Sequence, residues 1–404
     1  MNADPLYFPK GFGLKAAVQE PITADYTSGI VDLIRGGGHE LRADGLAIHL
    51  AVEYGFCYGV ERTVQYAYET LMRFPGRRIF ITDEIIHNPF VNERLIERGM
   101  KFLFGRYACG VKVGELTPDD IVVLPAFGVT VQMLDDLKAR KSVLVDTTCG
   151  SVLNVWKNVE KYARDGFTAV VHGKYDHEET RATVSQAMKY PAGRYIVVRD
   201  LAEARLVCDY IEKGGDSAAF LQRFEKAVSS GFDPDRDLQR VALANQTTML
   251  MSESLAIERM LRESVLKRYG SADGHHRAFD TICSATQDRQ DAIHELVKKR
   301  LDLIVVIGGY NSSNTGHLAE IAAEHYPSYH VQDPSDLVSA DLIRHRDPKT
   351  RQVVETRGWL PARPLEIGVT SGASTPNSKT GGVIERLLEL RGIPSSAVGP
   401  APSI

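Results

Sequence analysis

The stretch Ala51-Val-Glu-Tyr-Gly-Phe-Cys-Tyr-Gly-Val-Glu-Arg-Thr63 places a cysteine, Cys57, between two glycines at the end of an apolar run. The apolar run predicts a strand, and the residues after the cysteine predict an amphipathic helix. The flanking glycines let the backbone turn sharply between the two. A thiolate in such a turn lies at a helix N-terminus, which favours negative charge. Taken alone, the stretch is also explained by a buried cysteine in a turn.

The same arrangement occurs three times along the chain, around Cys57, Cys149 and Cys283. Each cysteine is followed 28 to 30 residues later by a polar turn, and these turns contain His87, His177 and Ser312. A loop of small or hydroxyl residues extends each repeat, at 125–130, 245–248 and 369–375. This recurrence predicts three pseudo-repeated units. The expected domains are an N-terminal extension over 1–45, a first unit over 46–147, a second over 148–281, and a third with a C-terminal tail over 282–404.

Short runs rich in valine and isoleucine alternate with amphipathic stretches from residue 45 onward. Strands are predicted at 46–52, 78–82, 121–125, 142–146, 167–172, 195–198, 241–244, 303–307 and 365–369. Helices are predicted at 60–73, 90–98, 131–140, 152–164, 249–268, 287–300, 315–326 and 380–390. The alternation predicts an α/β fold with mostly parallel sheets. The charged segments 205–238 and 340–364 interrupt it and are predicted to be surface insertions.

The bulk composition limits the class of protein. A net charge of −4 without a basic stripe argues against a nucleic-acid partner. No apolar run approaches the roughly 20 residues that cross a bilayer, and the N-terminus does not resemble a targeting segment. A cytoplasmic protein without membrane contact is therefore expected. Five widely spread cysteines argue against a disulfide framework.

Ligands of α/β sheets collect beyond the carboxyl ends of the strands. If the three units face a common centre, the three repeated cysteines lie in one pocket. Three sulfur ligands suit zinc or an iron–sulfur cluster with one open iron, and the absence of a metal is a third interpretation. The wide spacing favours a site shared between domains over a zinc knuckle. Cys109 and Cys208 lie outside the repeat and are predicted to be packed hydrophobic residues.

The other turns suggest an anionic ligand. Asn311-Ser-Ser-Asn-Thr315 opens a predicted helix and offers hydroxyls and N–H groups to a phosphate, although an N-cap cluster without a ligand explains it equally. His87 and His177 could donate hydrogen bonds to phosphate oxygens. Glu179 is a candidate proton carrier or a solvated helix start. Thr247 could hold a substrate hydroxyl or cap a helix.

A set of motifs between residues 47 and 392 resembles the 4-hydroxy-3-methylbut-2-enyl diphosphate reductase (LytB) family. The motifs are Gly55-Phe-Cys-Tyr-Gly-Val60, His87-Asn88, Asp146-Thr-Thr-Cys149, His177-Glu-Glu-Thr180, Gln246-Thr-Thr248, Ile282-Cys-Ser-Ala-Thr286, Asn311-Ser-Ser-Asn314 and Gly368-Val-Thr-Ser-Gly-Ala-Ser374.

The resemblance implies a trefoil of three α/β units around one central [4Fe–4S] cluster per chain, held by Cys57, Cys149 and Cys283. The implied reaction is a two-electron, two-proton reductive dehydroxylation that gives isopentenyl and dimethylallyl diphosphates, the last step of the non-mevalonate pathway. Glu179 and Thr247 match the proton-relay and hydroxyl-positioning residues. The residues that match the diphosphate contacts are His87, His177, Ser312, Ser313, Asn314 and Ser374. Ferredoxin or a similar one-electron donor is the implied partner, and the chain is expected to be a monomer or homodimer.

Two residues depart from the family motifs. Phe127 stands where many members have histidine, so one diphosphate contact is missing or replaced, and Gly150 stands where proline is usual. A cluster-dependent hydro-lyase is the alternative enzyme, because it also uses three cysteines and an open iron. A non-catalytic protein that binds a phosphorylated metabolite is the alternative outside enzymes.

Overall fold

The computed structural model describes residues 5–279 and 282–394. The chain divides into two compact units. The first unit comprises Met1–Gly11, Gly76–Asp83 and Lys101–Cys283, and the second comprises Phe12–Pro75, Glu84–Met100 and Ser284–Ile404.

The strands of the described residues are short, as parallel strands buried on both faces usually are. They are β1 (Tyr7–Phe8), β2 (Glu40–Ala43), β3 (Leu46–Leu50), β4 (Ile79–Ile81), β5 (Lys101–Phe102), β6 (Ile121–Leu124), β7 (Val143–Asp146), β8 (Thr168–His172), β9 (Arg194–Val198), β10 (Val241–Asn245), β11 (His276–Ala278), β12 (Leu303–Ile307), β13 (Ser328–Val331), β14 (Leu342–Arg346), β15 (Val353–Arg357) and β16 (Leu365–Ser371).

The helices of the described residues connect these strands. They are α1 (Lys15–Tyr26), α2 (Gly29–Gly36), α3 (Tyr58–Arg73), α4 (Pro89–Glu97), α5 (Val131–Ala139), α6 (Gly150–Arg164), α7 (Glu178–Ala187), α8 (Leu201–Lys213), α9 (Ser217–Arg223), α10 (Pro234–Asp237), α11 (Met251–Tyr269), α12 (Ser284–Leu296), α13 (Ser313–Ala323) and α14 (Asn377–Leu390).

The first unit contains two parallel sheets. One has the strand order β1-β7-β6-β4-β5 and the other the order β11-β10-β8-β9. Every pairing in both sheets is parallel. All residues of β6, β7 and β8 are buried, which explains their near-continuous apolar sequences.

The second unit contains one seven-stranded sheet with the order β15-β14-β13-β12-β16-β3-β2. Its centre is parallel, whereas the pairings of β2, β14 and β15 are antiparallel. The strand β3, which leads toward Cys57, pairs with β16 near the other end of the chain. β3, the first strand of the predicted unit 46–147, therefore lies in the same sheet as strands of the predicted unit 282–404. The domain division predicted from sequence stays a prediction.

The predicted α/β class with mostly parallel sheets is confirmed. Each predicted strand and helix is present, with ends displaced by at most four residues. The predicted N-terminal extension contains β1, α1, α2 and β2, of which β1 adds to a sheet of the first unit.

Three predictions about the remaining chain are wrong. Segment 205–238 is no surface insertion, because it completes α8, forms α9 and α10, and buries Phe220 and Phe224 in the core. Segment 340–364 forms the antiparallel pair β14–β15 and buries Trp359. In both segments the many charged residues make the apolar side chains at helical or strand spacing difficult to recognise in the sequence. Cys109, predicted to be packed, is exposed, while Cys208 is buried as predicted.

No helix among the described residues is both long and apolar enough to cross a membrane.

Candidate functional site

Each of the three repeated cysteines directly precedes a helix. Cys57 is the N-cap residue of α3, Cys149 is the N-cap residue of α6, and Cys283 precedes α12. All three are partly exposed. Three sulfur donors suit a soft metal group. Cys208 lies in the core, and burial raises the pKa of its thiol.

In the first unit, a hydrogen bond connects the beginning of α6 to Cys283. The Ser151 hydroxyl donates to the Cys283 Sγ at 3.3 Å. The backbone N–H of Cys149 donates to the Ala126 carbonyl at 2.8 Å, and that of Cys283 donates to the Thr247 carbonyl at 3.2 Å. Both cysteine turns are therefore fixed by neighbouring backbone groups.

Glu179 and Thr247 form a buried pair in the same unit. Glu179 lies in the first turn of α7 and is 3% exposed. Its Oε1 accepts the Thr247 backbone N–H at 2.6 Å, and its Oε2 accepts the Thr247 hydroxyl at 3.0 Å. One residue thus binds both carboxylate oxygens. Because the Thr247 carbonyl also binds the Cys283 N–H, the carboxylate is connected to the cysteine turn through a single residue.

Gln246 supports this pair from within the core, where it is fully buried. Its Oε1 accepts the Thr180 hydroxyl at 3.1 Å and the Lys174 N–H at 3.2 Å. Two adjacent contacts, Glu179 with Thr247 and Thr180 with Gln246, therefore hold the beginning of α7. Gln246 belongs to a motif quoted above, but its supporting role was not predicted, because it depends on a tertiary contact.

His177 caps α7 through its side chain. The Nδ1 atom accepts the Glu179 N–H at 3.1 Å, which places the proton of a neutral imidazole on Nε2. The Phe127 ring lies 6.3 Å from the His177 ring at an interplanar angle of 76°. Phe127 is 7% exposed and lines a cavity of about 290 Å³ together with Thr82, Met133 and other residues of this unit. In this chain the apolar ring of Phe127 therefore lies beside His177, at the position where many family members have histidine.

In the second unit, the Cys57 turn is connected to the beginning of α13. The Cys57 N–H donates to the Ala373 carbonyl at 3.1 Å, and the Ala373 N–H donates to the Asn314 Oδ1 at 2.9 Å. Asn314 is 3% exposed. Its Nδ2 is buried and has no hydrogen-bond partner within residues 5–279 and 282–394. A buried amide without a partner is costly, and a bound acceptor would satisfy it.

The residues around Asn314 offer more donors. Ser312 is the N-cap residue of α13, and its Oγ accepts the Thr315 N–H at 3.3 Å. Ser313 is in the first helical turn, and Ser374 donates through Oγ to the His87 carbonyl at 3.4 Å. A helix N-terminus with hydroxyls and a buried amide is a suitable binding site for an anionic group.

His87 is oriented by a neighbouring carboxylate. Its Nδ1 lies 3.0 Å from the Glu84 Oε2, and since a carboxylate only accepts, Nδ1 carries a proton. Glu84 is 8% exposed. Glu84 was not predicted, although its position three residues before His87 is a recognisable signal. A Cβ at residue 309 would lie 2.3 Å from the His87 carbonyl oxygen, so this approach requires glycine.

Each unit therefore gathers part of the predicted site. The first brings Glu179, Thr247 and Cys283 together and places His177 on the same helix start. The second connects Cys57 with Asn314, and it joins His87 to Ser374. The catalytic and binding roles of these residues stay predictions.

Comparison with known proteins identifies close relatives. The chain is 49% identical over 404 residues to the 4-hydroxy-3-methylbut-2-enyl diphosphate reductase of Gloeobacter violaceus, covering 98% of this chain and 95% of the relative. It is 48% identical over 397 residues to the reductase of the same name from Thermosynechococcus vestitus, covering 97% of each.

Two solved structures share the fold. A structure of (E)-4-hydroxy-3-methyl-but-2-enyl diphosphate reductase, the terminal enzyme of the non-mevalonate pathway, matches with a TM-score of 0.52 and 25% identity, over 85% of this chain and 99% of that one. The E-1-hydroxy-2-methyl-but-2-enyl-4-diphosphate reductase of Plasmodium falciparum matches with a TM-score of 0.62 and 21% identity, over 86% and 90%.

The LytB protein family matches residues 48–388, a range that contains all three repeated cysteines and the Glu179–Thr247 pair. Given this match and the near-complete coverage of the relatives, the chain belongs to the LytB protein family.

Proposed function

We propose that this protein reduces (E)-4-hydroxy-3-methylbut-2-enyl diphosphate to isopentenyl diphosphate and dimethylallyl diphosphate, the last step of the non-mevalonate pathway. Two electrons and two protons enter, and the allylic hydroxyl leaves as water. The observation that carries the proposal is the buried Glu179–Thr247 pair beside the Cys283 turn. The names of relatives that match over almost the whole chain support it.

Cys57, Cys149 and Cys283 are the proposed ligands of one iron–sulfur cluster of the [4Fe–4S] type per chain. Each of them directly precedes a helix, and the Ser151 hydrogen bond to Cys283 Sγ is of the kind that tunes such a group. When bound, the cluster would supply single electrons and an iron with an open position.

Glu179 and Thr247 are the proposed catalytic residues. The Thr247 hydroxyl would hold the substrate hydroxyl, and Glu179 would deliver a proton through Thr247 Oγ to the leaving oxygen. The Glu179 carboxyl group is 3% exposed and accepts a hydrogen bond at each oxygen. It is well placed for this transfer, because these contacts fix its orientation before the reaction begins.

The diphosphate would bind at the start of α13. Asn314 offers its buried Nδ2, and Ser312, Ser313 and Ser374 offer hydroxyl or N–H groups beside it. His87 and His177 would add imidazole N–H donors. The Phe127 edge would supply apolar contact where other family members have an imidazole.

The electrons must arrive singly, so ferredoxin or a similar one-electron protein is the proposed donor. We place the reaction in the cytoplasm and expect a monomer or a homodimer.

Iron and sulfide analysis of anaerobically purified protein, combined with turnover driven by a reduced viologen, tests this function. The expected result is about four irons per chain, the number that defines the proposed cluster, together with both products only when the donor is present. Product formation without a donor would indicate a hydro-lyase. A colourless protein without iron that still binds the diphosphate would indicate a non-catalytic binding protein.

A further inference from the structure

Arg289 is an unusual residue of the second unit, because its guanidinium is buried without a counter-charge among the residues that the structure describes. It lies in α12 and is 3% exposed. Its acceptors are all neutral carbonyls: Nη1 donates to Ala285 at 2.9 Å, and Nη2 donates to Gly55 at 2.7 Å and more weakly to Tyr54 at 3.4 Å. Across the described residues, Arg289 forms no ion pair with a carboxylate, and its Nε has no hydrogen-bond partner.

The positions of these acceptors are informative. Ala285 is two residues after Cys283, and Gly55 is two residues before Cys57. Gly55 is in the left-handed region, with φ +73°, and its N–H donates to the Ser371 Oγ at 2.9 Å. A Cβ there would lie 2.4 Å from the Asn377 Oδ1. The Gly55 turn is therefore held closely, and Arg289 attaches the first turn of α12 to it.

A buried cation without a partner is unfavourable unless negative charge is close to it. Both segments that Arg289 binds lead directly to a cysteine proposed as a thiolate ligand. We propose, resting on the function above, that Arg289 is the positioning residue of the iron–sulfur cluster and that its charge raises the reduction potential of the bound group. A guanidinium fits this role better than an ammonium, because its planar donors reach carbonyls of two separate segments at once.

The variants R289K and R289Q separate the two effects, since lysine keeps the charge and glutamine does not. Asp288 is exposed on the same helical turn, so D288N is a control for a change of charge alone. Each protein is purified anaerobically, and three quantities are measured: the thermal unfolding of the apoprotein, the midpoint potential of the cluster, and the rate of iron loss to a chelator.

We expect R289Q to have a more negative midpoint potential and to lose iron at least tenfold faster than the unmodified protein. R289K should keep a potential close to that of the unmodified protein but lose iron faster, and D288N should change neither quantity. Failure of both variants to take up iron while their apoproteins unfold normally would also support the positioning role.

An R289Q protein with unchanged potential and unchanged iron loss would overturn the inference. So would an R289Q apoprotein that is already unfolded at the assay temperature, because the role would then be structural. Absence of iron in the unmodified protein would instead reject the proposed function, so the two failures are distinguishable.

Discussion

Thr247 binds both oxygens of the Glu179 carboxylate, one through its backbone N–H at 2.6 Å and the other through its hydroxyl at 3.0 Å. Two donors from one residue fix the plane of the carboxylate as well as its position. The Thr247 carbonyl accepts the Cys283 N–H at 3.2 Å, so the same residue also braces the cysteine turn. Only a substitution at Glu179 that keeps the shape of the side chain should therefore change proton delivery and leave the Thr247 contact with the Cys283 turn in place.

Glu179→Gln keeps the shape of the side chain but removes the transferable proton and presents an NH₂ group to one Thr247 donor. We expect turnover to fall by about 10²- to 10⁴-fold, the usual contribution of general acid catalysis. Iron and sulfide content should stay unchanged. Element analysis measures this content, and single-turnover kinetics measures the loss of rate. Glu160→Gln, at a surface ion pair with Lys189, is the control and should keep full activity. A fully active Glu179→Gln protein would reject the proton role.

The five cysteines should separate into two groups when substituted one at a time. Serine at Cys57, Cys149 or Cys283 should abolish both the bound iron and the activity, because a hydroxyl is a poor ligand for a soft metal. Cys109→Ser should change neither, since this thiol is exposed. Cys208→Ala should keep its iron but unfold at a lower temperature, because a fully buried side chain is truncated. Normal iron content in any variant of the first group would contradict the assignment.

The α/β class could be predicted from sequence because strands such as Leu303–Ile307 are apolar on both faces, a local property of the residues. The partner of β3 could not, because its pairing with β16 joins residues more than 300 positions apart. The prediction of a surface insertion at 205–238 is wrong for a different reason. Its charged residues dominate the composition, while Phe220 and Phe224 occupy the inner face of one short helix and its end.

The candidate site was predictable to a similar extent. The repeated cysteine turns predict that site residues lie between the end of a strand and the first turn of the following helix. Glu179 and Thr247 both lie at such positions. The bond between these two residues spans 68 positions and depends on tertiary packing. Gln246 and Arg289 support the site residues through tertiary contacts, and nothing in their local sequence marks them for that purpose. Glu84 differs, because it lies only three residues before His87, a spacing that the sequence does show.

Gly372 allows the turn near Ser374 to pack against the start of α13. A Cβ at residue 372 would lie 1.9 Å from the Oγ1 of Thr315, which is fully buried. We expect Gly372→Ala to lower the free energy of unfolding by about 1–3 kcal/mol, the typical cost of overpacking a core, and to weaken diphosphate binding through displacement of Asn314. Urea unfolding and calorimetric titration with inorganic diphosphate measure the two effects.

Gly316 is the matched control for this substitution. It lies inside α13, and a Cβ there would meet no heavy atom within 4 Å. Gly316→Ala should therefore stabilise the protein by up to about 1 kcal/mol, because alanine is the better helix former. Equal effects of the two substitutions would show that the close approach at Gly372 has no energetic consequence.

The stability of the protein should decline in mild acid because of His330, which lies on β13 and is 1% exposed. Burial lowers the pKa of this imidazole from 6.5 to about 4, although its Nε2 contact with the Gly308 carbonyl opposes the shift. Below pH 6.5 the unfolded chain therefore takes up a proton that the folded chain accepts only near pH 4. Stability present above pH 6.5 is lost across this window, by about 3 kcal/mol at roughly 1.4 kcal/mol per pKa unit.

His330→Gln keeps an N–H donor for the Gly308 carbonyl but cannot titrate. Urea unfolding of the apoprotein between pH 7.5 and 4 should therefore show that the free energy of unfolding declines less steeply in the variant. Other acid-sensitive groups contribute equally to both curves, so the difference between the curves reports His330. His276, whose pKa burial also lowers to about 4, stays in both proteins and keeps part of the slope. The exposed His325 supplies the control, since His325→Gln should leave the slope unchanged. Parallel curves for His330→Gln and the unmodified protein would show that the buried imidazole is not the source of the acid sensitivity.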